Sequence, residues 1–526
     1  MNILLKKFFS TCAGAAALAS AFVATGVPVS ADGPYAAKWA SLDKRPAPEW
    51  FLDAKFGIFI HWGLYSVPAF ANRGQYAEWY WSRLGKTRHG GQSYTSKFQE
   101  EKYGKGFKYE DFAPLFTAEK FDARKWAELF AKSGARYIVP TSKHHEGFAL
   151  WPSAEASKSW GRPWNAAEIG PKRDLLGELG EAVRDKGLKY GFYFSLYEWH
   201  NPLWIKDRKR FIREVYHPQF KDLVNRYKPS LLFGDGEWDI SSKDWGSEEL
   251  IAWLYNESPS KDDVIINDRW GKDTRLHHGG YYTTEYGAGL KDASHPWEEN
   301  RGIGFSFGYN HVEIEADYKT SRELILVLSD LVSRGGNLLL NIGPKADGTI
   351  PEIMEKRLLD IGAWLAVNGE AIYGTRVAGR PCQWTAGKRP KQSYKNYKAK
   401  YNLMEHVGQA TVNGNAVKQV FYTQKKDALY AISVGWPEGA TLTLQGVSAP
   451  QGAIVTVLGL PNELKYEITK SGITIALDGI PSNKLSGAPA YTFKITNAVV
   501  SQEDGTEAKT GAGKKAEKAG YTGEKD

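Results

Sequence analysis

The stretch LLFGDGEWD (231–239) runs three apolar residues into three acids at alternate positions, Asp235, Glu237 and Asp239. All three share one parity along an extended chain, so alternation alone does not choose among them. Paired carboxyls suit hydrolysis of a glycosidic bond. That reaction needs one carboxylate to attack or to steer water, and one acid to protonate the leaving oxygen. Further candidates lie downstream at Glu285, Glu298 and Glu299. Trp297 beside Glu298 would raise that carboxyl's pKa toward the general-acid range through partial burial. Spacing alone does not separate Glu298 from Glu285 or Glu299. Other chemistries fit less well. The nucleophile elbow G-x-S-x-G is absent. His144-His145 and His277-His278 are adjacent pairs, and the chain reads HHEGF where a zinc site would read H-E-x-x-H, so no metal is expected. The histidines read instead as neutral hydrogen-bond donors to ligand hydroxyls.

Polar groups of this kind close five apolar runs. FGIFI leads into His61, YIVPTS into Lys143-His144-His145, YGFYFS toward Glu198-Trp199-His200, LLF into Asp235, Glu237 and Asp239, and VIIN into Asp268-Arg269-Trp270. Amphipathic segments lie between them. Trp126, Leu129 and Phe130 fall at helical spacing before Gly134, and Leu175, Leu176, Leu179 and Val183 do so before Gly187. A third unit ends at Pro229, and Thr320 with Glu323 forms a capping box ahead of a further helix and strand. Apolar strands alternating with helices predict a parallel sheet covered on both faces. Their number suits a (β/α)8-type barrel, whose C-terminal strand ends converge on one mouth. A doubly wound sheet is the rival, but no Gly-rich phosphate loop follows the first strand, and no cofactor is expected.

Segments are assigned as 1–31 signal peptide, 32–380 barrel, 381–499 antiparallel β-sandwich and 500–526 disordered tail. Lys6 and Lys7 precede an apolar run that ends in Val29-Ser30-Ala31, which reads as an export signal leading to a periplasmic or extracellular location. No later run has the length of a membrane span. Loss of Cys12 would leave Cys382 alone, so no intramolecular disulfide is expected. Runs such as ALYAISVGW, ATLTLQG and YTFKIT, with a turn at Asn413-Gly414, predict the sandwich. The final segment has mixed charge and no apolar run. The net charge of +8 points to a solvated surface or to anionic, sulfated polymers, and no motif points to nucleic acid. Nineteen Trp within 13% aromatic content are compatible with sugar binding and equally with an aromatic core.

The ordered set KFGIFIHWGLYSVPAF, AEWY, KHHEGFALW, YGFYFSLYEWHNPL, DGEWD, NDRWG, HHGGYY, PWE and GGNLLLNIGPKADG resembles glycoside hydrolase family 29, the α-L-fucosidases. The resemblance covers roughly residues 38–375, with a weaker likeness over the sandwich. It implies an exo-acting, retaining α-L-fucosidase that removes terminal fucose from a glycan through a covalent fucosyl-enzyme. Asp235 is then the nucleophile, and the Glu that follows a Trp maps to Glu298 as acid/base. The implied fucose contacts are His61, Glu78, Trp79, His144, His145, Tyr193, Phe233 and Arg269, with Trp297 beside the acid. Phe233 stands where many relatives carry Trp, which would alter the aromatic wall and leave the carboxylate in place. Two alternatives differ from this reading. One is a catalytically silent fucose- or glycan-binding protein on the same scaffold. The other is a hydrolase of a related galacto-configured or 6-deoxy sugar.

Overall fold

The computed structural model describes residues 33–87, 91–287, 289–290, 294–390, 402–478, 480 and 487–502. The expected signal segment and residues 503–526 of the expected tail lie outside these. Val500, assigned to that tail, is buried and pairs with Val447.

Eight strands form one sheet: β1 (Phe56–Ile60), β2 (Tyr137–Lys143), β3 (Lys189–Ser195), β4 (Leu231–Asp235), β5 (Ile265–Ile266), β6 (Tyr282–Glu285), β7 (Trp297–Gly302) and β8 (Gly336–Ile342). Their order is β5-β4-β3-β2-β1-β8-β7-β6, and every neighbouring pair is parallel. The backbone N–H groups of Gly280 and Tyr281 both donate to the Ile266 carbonyl, which bridges the gap between β5 and β6 and curls the sheet into a barrel.

Helices Ala123–Lys132, Leu175–Asp185, His217–Tyr227 and Ser247–Asn256 precede β2 to β5, and Ser321–Ser333 precedes β8. Their ends follow local rules. The Asp122 side chain accepts from the N–H groups of Arg124 and Lys125, and Asp174 accepts from Gly177. Thr320 and Glu323 form a reciprocal capping box. Among the described residues no helix separates β5 from β6 or β6 from β7.

Strand parity sorts the core. Phe59, Val139, Tyr193, Phe233 and Leu339 share one cluster inside the barrel. Ile58, Ile60, Phe192, Leu232, Leu338 and Leu340 belong to the layer beneath the helices. Both faces of each strand are therefore buried, as parallel strands require.

The chain continues into a five-stranded antiparallel sheet, whose outer strands are Arg376–Trp384 and Val455–Val457, and a three-stranded sheet around Gly472–Ala476. Val420, Tyr422, Leu429 and Ala431 pack against Leu442, Leu444, Ile473 and Ile475 between the two sheets. The alternate residues Phe421, Tyr430 and Ile432 join the barrel's core. At that junction Asp330 pairs with Arg334 (2.6 Å) and with Lys418 (2.5 Å), and the Trp364 indole N–H donates to the Ala490 carbonyl (2.9 Å). No helix among the described residues is long and apolar enough to cross a membrane.

Candidate active site

A cavity of about 490 Å³, counted out to its open mouth, lies at the C-terminal ends of the barrel strands. Its lining takes His61 from the end of β1, His144 from beyond β2, Tyr193 from β3, Phe233 and Asp235 from β4, Arg269 from beyond β5, Glu285 from β6 and Asn300 from β7. Tyr76, Glu78, Trp79, Trp238 and Phe307 close its sides. Phe59, Phe233 and Phe307 give it an apolar wall.

Asp235 is the last residue of β4 and is 8% exposed. Arg269 Nη1 donates to its Oδ1 (2.9 Å), and the Tyr193 hydroxyl donates to its Oδ2 (2.9 Å). Burial opposes ionisation of Asp235, but Arg269, His145 and Arg275 reverse that effect and hold the carboxyl below the usual range. It is therefore ionised at any working pH. Gly236 follows with φ +83°, and a Cβ there would stand 2.5 Å from the Tyr197 ring, so the turn that aims Asp235 requires glycine.

Glu285, the last residue of β6, is also 8% exposed. Its Oε2 lies 3.6 Å from Arg269 Nη2, and the Tyr76 hydroxyl donates to its Oε1 (3.0 Å). One guanidinium thus contacts Asp235 and Glu285 through its two terminal nitrogens, and Arg269 Nε is fixed by Thr283 Oγ1 (3.0 Å). Two other acids lie close by. Glu78 accepts from the Gly308 N–H (2.8 Å) and the Ser306 hydroxyl (3.2 Å), and burial pushes it up to about 7. Glu237 is buried and paired with Arg275 (2.6 Å), while Asp239 is exposed.

Two of the histidines, His61 and His145, differ from the donors read in the sequence. Asn341 Nδ2 donates to the Phe307 carbonyl (2.7 Å), so its Oδ1 accepts from His61 Nδ1 (2.7 Å) and leaves His61 Nε2 as an acceptor. Burial and then His144 lower His61 to about 3, so the ring is neutral. Ser195 Oγ donates to the Tyr197 carbonyl (2.7 Å) and accepts from His145 Nδ1 (2.7 Å), which likewise leaves His145 Nε2 as an acceptor. His145 sits behind the cavity, 3.5 Å from Asp235 Oδ2, among Trp79, Trp199 and Trp238. His144 lines the cavity with its Nδ1 3.5 Å from Glu146 Oε2.

Trp79 lines the cavity against Trp238, with ring planes 28° apart. Arg269 lies 4.8 Å from the Phe233 ring. Glu198, read as one of the strand-end groups, is taken up elsewhere. It is buried and saturated by Lys143 (2.7 Å), Trp160 (2.8 Å) and Asn201 (2.7 Å).

Two expected site residues are not at the mouth. Trp297 and Glu298 open β7 and pair with Gly336 and Asn337, which open β8, so both lie at the opposite end of the barrel from Asp235. Asn300, which shares the parity of Glu298, does reach the cavity, and Glu298 lies about 6.6 Å deeper along the strand. There the Tyr137 hydroxyl donates to Glu298 Oε2 (2.5 Å). Trp297 is 1% exposed and packs under Arg334 (5.3 Å). Glu285 carried a usable signal, because it ends the run YYTTE as Asp235 ends LLFGD.

Burial raises Glu298 to about 8. The folded chain then keeps a proton that the unfolded chain gives up near pH 4.3. Stability from this group is full below that pH and is lost as pH rises through about 8. Glu298→Gln should therefore melt above wild type by a few degrees at pH 9, with a smaller gap at pH 5. Parallel melting curves across that range would contradict this placement of the carboxyl.

The alpha-L-fucosidase family profile matches residues 22–370, and the alpha-L-fucosidase C-terminal domain profile matches residues 413–496. Tissue alpha-L-fucosidase of Homo sapiens is 40% identical over 475 residues, spanning 88% of this chain and 92% of that protein. The Rattus norvegicus protein of the same name is 42% identical over 473 residues, again spanning 88% and 92%. The crystal structure of Thermotoga maritima alpha-fucosidase in complex with fucose matches with a TM-score of 0.70 and 34% identity, covering 88% of this chain and 100% of that one. Matches of this extent, over the barrel and over the sandwich, place this chain in the α-L-fucosidase family.

Proposed function

We propose that the chain hydrolyses terminal α-L-fucose from glycans with retention, with Asp235 as nucleophile and Glu285 as acid/base. The carrying observation is that Arg269 binds both carboxyls. The acid and the nucleophile of a retaining glycosidase flank one anomeric carbon about 5–5.5 Å apart, and two carboxyls on the two arms of one guanidinium are neighbours on that scale. Glu78 shares no such contact with Asp235, and its backbone hydrogen bonds suit a ligand-hydroxyl acceptor. Asp235 attacks as the ionised group that Arg269 and Tyr193 maintain. Glu285 protonates the leaving oxygen and then deprotonates water. His61 Nε2 and Glu78 accept hydroxyl protons, Trp79 supplies a sugar-facing wall, and Phe59 and Phe233 from the strands with Phe307 from the loop after β7 form the apolar wall of the cavity.

That apolar wall also supports a 6-deoxy sugar. A methyl group rests on it without penalty, whereas a hydroxymethyl would bury a hydroxyl there. The test compares aryl α-L-fucoside with aryl α-L-galactoside, which adds only that hydroxyl. We expect kcat/KM to favour the fucoside by roughly 10- to 100-fold, and equal turnover would defeat the reading.

In this proposal residues 32–380 form the catalytic unit and 381–499 a sandwich that braces it, supported by the Asp330–Lys418 contact. The charged and then apolar N-terminus supports export, and the net charge of +8 supports an anionic, sulfated glycan as the polymer attacked.

A further inference from the structure

We propose that Phe305, with Tyr76 and Tyr286, forms a platform on which the leaving portion of the substrate stacks, and that this portion is a pyranose ring with an apolar face. The inference rests on Glu285 being the proton donor, because it places the leaving oxygen beside that carboxyl.

Phe305 is 38% exposed. The chain holds 23 Phe, 28 Tyr and 19 Trp, and among the described residues Phe305 alone of all these is exposed. Single exposed aliphatics are ordinary, but this ring is not isolated. Its centroid lies 5.2 Å from that of Tyr76 at 18° and 5.5 Å from that of Tyr286 at 16°. Tyr76 and Tyr286 are themselves 6.4 Å apart at 22°. In a column the outer two rings would stand nearly twice as far apart. The three are therefore offset with a common tilt, like shingles, and together present a broad aromatic surface.

That surface is continuous with the cavity. Tyr76 lines the cavity, and its hydroxyl holds Glu285. Phe307, also in the lining, has its ring 5.6 Å from Tyr76 and 5.3 Å from Tyr286. A proton leaving Glu285 goes to the glycosidic oxygen, so the first ring of the leaving group starts at the platform's inner edge. Phe305 offers no polar atom, so a ligand gains there by packing a C–H face, which a pyranose provides.

The platform is also preorganised. Tyr286 has φ +49°, a region that a bulky residue adopts only when its surroundings enforce it. Its hydroxyl donates to the Phe305 carbonyl (2.5 Å) and accepts from the Gly302 N–H (2.9 Å). Glu313 Oε1 accepts from the N–H groups of Phe305 (2.9 Å) and Ser306 (2.8 Å). A loop pinned at both ends loses little freedom on binding.

The test measures kcat/KM for a fucosyl disaccharide and for α-L-fucosyl fluoride, whose leaving group is one atom and reaches no platform. Phe305→Ala should lower the disaccharide-to-fluoride ratio about tenfold, the scale of an aromatic contact, and Phe305→Trp should restore it. Melting temperatures should fall by no more than a few degrees, since the ring is partly exposed and its loss removes only its contacts with Tyr76 and Tyr286. An unchanged ratio overturns the proposal, as does a fall that Trp does not restore. Failure of the underlying reading looks different. It appears as Glu285→Ala losing both substrates equally, whatever Phe305 does.

Discussion

Asp235→Asn should abolish nearly all turnover of an aryl α-L-fucoside, with kcat down roughly ten-thousandfold or more. The amide keeps the size of the side chain and the hydrogen bond from Tyr193, but it cannot displace the leaving group. Loss of the charge also removes the closer of the two ion pairs of the buried Arg269, leaving Glu285 at 3.6 Å. The variant should therefore melt lower than wild type, and its folding must be checked alongside its rate. Residual activity near that of wild type in a folded variant would remove Asp235 from the mechanism. Because Arg269, His145 and Arg275 hold its pKa below the ordinary range, the acid limb of the wild-type rate profile should not report Asp235 above about pH 4.

Glu285→Ala carries the second large effect. For a fucosyl oligosaccharide, whose leaving group must be protonated, we expect a loss of roughly 10²–10⁴ in kcat/KM. For a dinitrophenyl fucoside the first step needs no acid, so the loss should fall on the second step and be relieved by added azide. Glu298→Ala is the matched control. A carboxyl at the base of the barrel gives a loss with no dependence on leaving group and no azide rescue. The reverse pattern, with rescue at Glu298 and none at Glu285, would return the acid role to the base of β7.

The contrast between those two glutamates marks what the sequence made legible. Helix ends at Gly134 and Gly187, the capping box at Thr320 and the parallel barrel follow from local patterns that tertiary packing leaves intact. Asp235 and Arg269 each follow an apolar run whose end is plain, which marked them as strand-end groups, and the family resemblance then singled them out from their neighbours. Depth along a strand was not legible. Glu298 and Asn300 share parity, so the pattern that points both inward does not say which one reaches the mouth. Among the described residues no helix stands before β6 or β7, so no helical stop fixes where those strands begin. β5 has only two residues, which weakens the count further. Trp297 followed by Glu298 looked like an acid in an apolar setting. That setting exists, with the pKa raised as expected, but at the wrong end of the barrel. The acceptor roles of His61 and His145 were hidden for another reason, since each depends on partners remote in sequence, Asn341 and Ser195.

The central claim is that Asp235 and Glu285 act on the same anomeric carbon in two steps. Its most direct test is to mix Glu285→Ala with dinitrophenyl α-L-fucoside and identify any covalent adduct by peptide mass mapping. Without its base the second step is slow, so one fucosyl group should accumulate on the peptide that carries Asp235, and azide should discharge it. An adduct on another residue, or none while dinitrophenol is released in a burst, would contradict the account.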